Sequence, residues 1–164
     1  MTGEDLRRRA CCFSGHRAIP ASHLPALRRR LTEAVTRLAE EGFVYFIVGG
    51  ALGFDTLAAE AVLSLRDSAL PHIRLLLAIP HERQAASWPA ADREKYERIK
   101  AAADKARVLS PHYYTGCMQA RNRYMVDHAS VCVCYLTKEN GGTAGTVRYA
   151  EKKGLTVIDL ASSL

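Results

Sequence analysis

The sequence predicts an α/β protein: an open, mostly parallel sheet with helices on both faces. Three observations predict it. Strand-like and helix-like patterns alternate along the whole chain. The second, third and fifth strand runs are almost continuously apolar, as in strands covered on both faces. The loops that leave strands also differ in kind from those that leave helices.

The elements follow in order. Residues 10–13 form the first apolar strand run. A helix is expected over 22–40, where Leu24, Leu27, Leu31, Val35 and Leu38 recur at three- and four-residue spacing. Arg28, Arg29, Arg30 and Arg37 flank that stripe and make the helix's wet side. Strand 43–48 leads through a glycine-rich turn into a helix over 53–67, and strand 73–79 through a polar loop into a helix over 90–104, which Pro89 is set to start. A short strand over 107–109 precedes a helix over 116–128. Strand 131–135 precedes a helix over 143–153, entered after Gly141-Gly142 and left at Gly154. Strand 155–159 closes the series. No repeat, low-complexity tract or linker interrupts it, and residues 1–164 are expected to form one domain.

Composition excludes several classes. The chain has 164 residues, 48% hydrophobic and 24% charged, which is neither a disordered chain, a fibre nor a small disulfide scaffold. No apolar run approaches the ~20 residues of a membrane span. Arg7-Arg8-Arg9 is followed by only a short apolar run, cut off by Ser14-Gly15-His16-Arg17, so the N-terminus does not read as a signal peptide. Of the five cysteines, Cys11, Cys12, Cys132 and Cys134 sit in strand-like runs and read as buried hydrophobes in a reducing compartment. A cytoplasmic location is expected, with no membrane partner. Cys132-x-Cys134 has no second pair at ligand spacing, and no metal is expected. A net charge of +6 favours a phosphate-bearing partner.

Loops leaving helices are short and plain: Glu41-Gly42, Lys105-Ala106 and Lys153-Gly154. The unusual residues all leave strands, which in an open parallel sheet puts them on the carboxyl edge, where the ligand crevice forms. Gly141-Gly142-Thr143-Ala144-Gly145-Thr146 opens a helix, where bare glycines let a phosphate reach the first N–H groups; a loop ending in a threonine cap is the plainer reading. Gly49-Gly50-Ala51-Leu52-Gly53-Phe54-Asp55 repeats the arrangement, with Asp55 at a helix start, where capping alone would account for it. Glu60 lies roughly 140° around that helix from Asp55. It either faces the crevice, to accept hydrogen bonds from a ribose or base, or is simply exposed. Gly15, His16 and Arg17 offer two potential cations after the first strand, where a simple turn before Pro20 is the alternative. Trp88 either stacks on a base or packs beneath its loop. Arg121 and Arg123, two apart on a helix, cannot serve one ligand; Asn122 stands between them.

At these segments the chain resembles the SLOG superfamily, which joins the DNA-processing protein DprA (Smf) with the LOG nucleotide phosphoribohydrolases. The likeness is greatest to its YpsA-like branch. Gly49 to Glu60, Arg121-Asn122-Arg123 and Gly141 to Thr146 occur in its order and spacing, with a first loop at His16-Arg17 and a Gln/Trp loop from Gln84 to Trp88. The resemblance covers about residues 10 to 160. It implies a Rossmann-like fold, a nucleotide or nucleotide-derived ligand on the carboxyl edge, and a homodimer. Two departures matter. LOG enzymes pair an arginine in Met-x-x-Arg, matched here by Met118 and Arg121, with a glutamate whose place Arg148 takes. DprA-like proteins carry a histidine where Glu60 stands.

The expected function is binding of a nucleotide sugar, an ADP-ribose-like compound or a nucleoside monophosphate, as a sensor or regulatory module. Gly15, His16, Arg17, Gly49, Gly50, Gly53, Asp55, Trp88, Arg121, Asn122, Gly141, Gly142, Thr143, Gly145 and Thr146 are the expected ligand-binding residues. One alternative is a LOG-like nucleotide N-glycosidase, with Glu60 and Arg121 as the catalytic candidates. The other, less favoured, is DprA-like binding of single-stranded nucleic acid. No cofactor is expected.

Overall fold

A computed structural model describes residues 2–164. It consists of a six-stranded sheet with α-helices on both faces. The elements run α1 (Gly3–Arg8), β1 (Ala10–Gly15), α2 (Leu24–Glu40), β2 (Tyr45–Val48), α3 (Phe54–Arg66), β3 (Arg74–Ile79), α4 (Ala90–Ala102), β4 (Lys105–Val108), α5 (Cys117–Asp127), β5 (Val131–Tyr135), α6 (Gly142–Lys152) and β6 (Thr156–Asp159).

The strand order is β4-β3-β2-β1-β5-β6, and every neighbouring pair is parallel. From β1 the chain steps outward through β2 and β3 to β4. Right-handed crossovers in one direction put α2, α3 and α4 on one face. The chain then returns across the sheet to lay β5 beside β1 and continues to β6, with α5 and α6 on the other face. Alternation within β1 shows the two layers. Cys11 and Phe13 pack with Leu27, Leu31, Phe54 and Ile99; Ala10 and Cys12 pack with Met125, Val126, Val147 and Ala150. The order reverses between β1 and β5, and the crevice of an open α/β sheet opens at such a switch point.

The expected fold class is therefore the observed one, with local corrections. β1 extends through Ser14 and Gly15, which pair with Cys134 and Tyr135 rather than starting a loop. β4 begins at Lys105, opposite Leu76, so Lys105-Ala106 is strand rather than connection. As an edge strand with three exposed residues it shows no apolar run, and its Lys105 and Arg107 suit an unpaired edge. Helix α1 was not anticipated: none of its residues is buried, so it leaves no periodic signal. It is held by a capping box between Thr2 and Asp5 and by Arg7 Nη1 donating to the Ala129 carbonyl at 3.1 Å.

All five cysteines are free and buried. Among the described residues no helix is long and apolar enough to cross a membrane, and no group of three or more His, Cys, Asp or Glu is placed to hold a metal ion.

Candidate functional site

Three helices begin at the carboxyl edge with a glycine as N-cap: Gly53 before α3, Gly116 before α5 and Gly141 before α6. None of the three has a side-chain cap. A helix left in this state presents first-turn N–H groups and the positive end of its dipole to whatever lies in front of it. For α3 the chain itself takes up the first donor, since Phe54 N–H donates to the His16 carbonyl at 3.1 Å. Gly53 is held there by sterics. Its φ of +77° favours glycine, and a Cβ would overlap the Arg17 carbonyl.

Arg121 lies under the β2–α3 turn, 5% exposed. Its Nη1 donates to the Gly49 carbonyl at 2.6 Å and to the Ala78 carbonyl at 3.4 Å, and its Nε to Asn122 Oδ1 at 2.8 Å. A Cβ on Gly49 would come within 2.5 Å of that Nη1 and 2.9 Å of Asp55 Oδ2. Glycine at 49 is what lets the guanidinium and carboxylate converge. Asp55 is itself buried and accepts from Ala51 N–H at 3.1 Å. Burial pushes its carboxyl up to about 6, with the Arg121 and Arg17 charges pulling the other way. Burial also lowers the Arg121 pKa, against the pull of Asp55. Arg123, two residues on, is exposed, as the helical geometry requires.

Two cavities open on this edge. The first lies at the β1/β5 switch point and is lined by Gly15, His16, Arg17, Asp55, Arg121 and Asn122, with Gly142 and Thr143 from the start of α6. The second lies among α2, α3 and α4. Gly50, Gly53, Glu60 and Trp88 line it, and it shares Arg17, Ala51 and Asp55 with the first. Arg17 is exposed, with no hydrogen bond or ion pair among the described residues. Glu60 and Arg121, the candidate catalytic pair, line different cavities.

His16 lines the switch-point cavity, but not as a cation. His16 Nε2 accepts the Thr137 N–H at 2.9 Å, so the ring is a neutral acceptor joining the β1 and β5 loops rather than a cation. Burial, followed by the nearby Lys138 charge, lowers its pKa. Gly141, Gly145 and Thr146 line neither cavity. Thr146 Oγ1 donates to the Gly142 carbonyl at 2.9 Å within α6. Arg148 is exposed and reaches back to the Glu139 carbonyl at 3.4 Å.

Sequence reasoning missed Tyr96 and Lys95, and gave Gln84 no role of its own. Gln84 Nε2 lies 3.4 Å from the Gly50 carbonyl and 3.5 Å from that of Gly49, bracing the turn opposite Arg121. Tyr96 meets Trp88 edge to face, with centroids 5.3 Å apart. Lys95 Nζ stands 3.8 Å from Glu60 Oε2. The Gln/Trp loop of the resemblance was the one available signal for Gln84; nothing in α4 marks Tyr96 or Lys95.

The same segments carry the likeness to known proteins. A family model described as the YspA SLOG family (YpsA) matches residues 17–157. The chain belongs to this family. Among curated relatives, a UPF0398 protein of Shouchella clausii is 30% identical over 119 residues, covering 71% of this chain and 63% of its own length. A UPF0398 protein of Halalkalibacterium halodurans is 31% identical over 130 residues, 77% of this chain and 68% of its own. The chain thus spans about two thirds of the curated relatives it matches. Among solved structures, DNA processing protein A of Helicobacter pylori, studied for its single-stranded DNA binding mode, superposes with a TM-score of 0.64 at 20% identity, covering 94% of this chain and 66% of that one. At that identity the likeness is one of fold: Rossmann-like, with DprA as a structural neighbour.

Proposed function

We propose that the carboxyl-edge crevice binds a nucleotide or nucleotide-derived ligand, with its phosphate anchored at the switch point. The observation that carries this reading is the convergence there of an uncapped helix start at Gly142 and Thr143 with two guanidiniums, Arg17 and Arg121, against one carboxylate, Asp55. A phosphate would take the α6 N–H groups, which no side chain caps, together with Arg17, which has no other partner. Family membership supports it, as does the place of the crevice at the reversal of strand order. The separation of Glu60 from Arg121, and the outward placement of Arg148, favour binding over N-glycosidic cleavage.

Thermal shift against nucleotides, cyclic nucleotides, nucleotide sugars and ADP-ribose tests the reading. A ligand at 100 times its dissociation constant adds about 2.7 kcal/mol, or roughly 5–11 °C for a domain near this size. A selective stabilising compound is expected, and uniform silence would overturn it.

A second reading is single-stranded nucleic acid, favoured by the net charge of +6 and by the fold shared with DNA processing protein A. It predicts binding that weakens with salt at a log–log slope of about −0.7 per phosphate contacted. Asp55 and Glu60 inside the crevice oppose a polyanion.

A further inference from the structure

Each of the two cavities encloses about 250 Å³, less than the roughly 300–1,000 Å³ of sites that bury a small organic ligand. They adjoin at Arg17, Ala51 and Asp55, which line both. Their chemistry differs. In the switch-point cavity cations outnumber carboxylates and a helix start adds positive potential. In the α2–α3–α4 cavity three cations (Arg17, Arg28 and Lys95) face three carboxylates, Asp55, Glu60 and Asp92. That balance gives no preference to a second anionic group.

What the second cavity offers is an aromatic wall beside a carboxylate oxygen with an unmet hydrogen bond. Trp88 and Tyr96 cross at 80°, with Leu24 and Ile99 beside them. Tyr96 is 6% exposed, and its hydroxyl interacts with the Gln84 side chain. Glu60 Oε1 is buried without a partner, while Oε2 has only the long contact to Lys95, whose side chain is nearly half exposed. Folded proteins pair almost all such buried atoms.

We propose that this second cavity receives the uncharged, hydrogen-bond-donating sugar or base portion of a ligand whose phosphate sits in the switch-point cavity, with Glu60 as the acceptor that selects it. The inference rests on the phosphate reading above. A carboxylate accepts two hydrogen bonds in one plane, which matches vicinal ribose hydroxyls or the N–H edge of a base. Lys95, on a flexible stem and loosely held, swings aside as the donor arrives. The Trp88–Tyr96 wall covers the apolar side of the guest.

Calorimetric titration of the whole chain with inorganic phosphate, ribose 5-phosphate and AMP, in the wild type and in Glu60→Gln, tests this. The wild type is expected to bind at least one organic phosphate tenfold or more tighter than inorganic phosphate. Glu60→Gln should remove at least fivefold of that advantage and leave phosphate affinity within twofold. A gain already present with ribose 5-phosphate assigns the donors to the sugar; a gain confined to AMP assigns them to the base. Organic phosphates binding no tighter than phosphate, or a folded Glu60→Gln protein that keeps the whole advantage, would overturn the second subsite and leave the phosphate reading standing. If no probe binds, both readings fall. Should Glu60→Gln not fold, Lys95→Met serves instead: freeing Glu60 is expected to tighten AMP binding at least threefold with phosphate unchanged, and no change in AMP binding overturns the proposal.

Discussion

At the amino ends of the strands the chain meets its polar groups with its own. Thr2 and Asp5 cap α1 reciprocally. Asp104, just before β4, accepts from the Leu75 N–H at 2.8 Å and pairs with Arg66 at 2.8 Å. At the carboxyl ends it does not. Three helices start at glycines without side-chain caps, and among the described residues Arg17 makes no ion pair and Glu60 and His81 each bury an atom with no partner. The same sheet holds both ends, so neither fold class nor strand propensity explains the contrast. Among the described residues, the buried polar atoms without a partner lie on the carboxyl side of the sheet or in the helices that flank it.

The comparison breaks most sharply at the buried arginine. Arg121→Met takes the 2.6 Å donor from the Gly49 carbonyl and the 3.4 Å one from that of Ala78, and each buried acceptor left unpaired costs about 1–3 kcal/mol. Arg66→Met at the opposite end should cost about 1 kcal/mol. Urea unfolding of the two variants decides; equal losses would remove the distinction between the ends. The glycines come next. Gly53→Ala adds a steric overlap to a left-handed φ and is expected to cost about 2–4 kcal/mol. Gly42→Ala, with φ +99° and nothing within 4 Å of the new Cβ, should cost only about 1 kcal/mol.

A pH series sharpens the contrast. Folded Asp55 keeps its proton to about pH 6, against an ordinary 3.8, so the folded state binds the proton more tightly than the unfolded chain. The resulting stability is full below about pH 4 and is lost as pH rises through 6. Asp55→Asn should therefore gain on the wild type between pH 4 and 7, by roughly 2–3 kcal/mol; a flat difference would mean that Asp55 ionises as an ordinary carboxyl. The smallest effect lies at the satisfied end, where Thr2→Ala removes one cap and costs about 1 kcal/mol or less, seen as faster amide exchange confined to α1.

Most of the fold was legible because its signals are local. Apolar runs marked β2, β3 and β5, and the leucine stripe marked α2. Elements with no core side were not legible: α1 buries nothing, and β4 is a charged edge. In the site, order along the chain placed the glycine and arginine loops on one edge, and helical geometry separated Arg121 from Arg123. The division of the crevice into two cavities could not be read that way. It depends on Tyr96, Trp88 and Lys95 from α4 and its loop meeting Glu60 from α3, and only the packing of those helices brings them together.

The return of β5 to the side of β1 also sets a clock. Ala10 meets Tyr45 after about 35 residues, whereas Cys11 meets Val131 only after about 120, and the entropy of closing a loop grows with its length. Loop-closure entropy thus disfavours early formation of the pairing that creates the crevice. Interactions absent from the transition state act on escape from the folded state rather than on arrival at it. Destabilising changes in the crevice, Gly53→Ala among them, are therefore expected to speed unfolding in stopped-flow kinetics and to leave the rate of refolding nearly untouched.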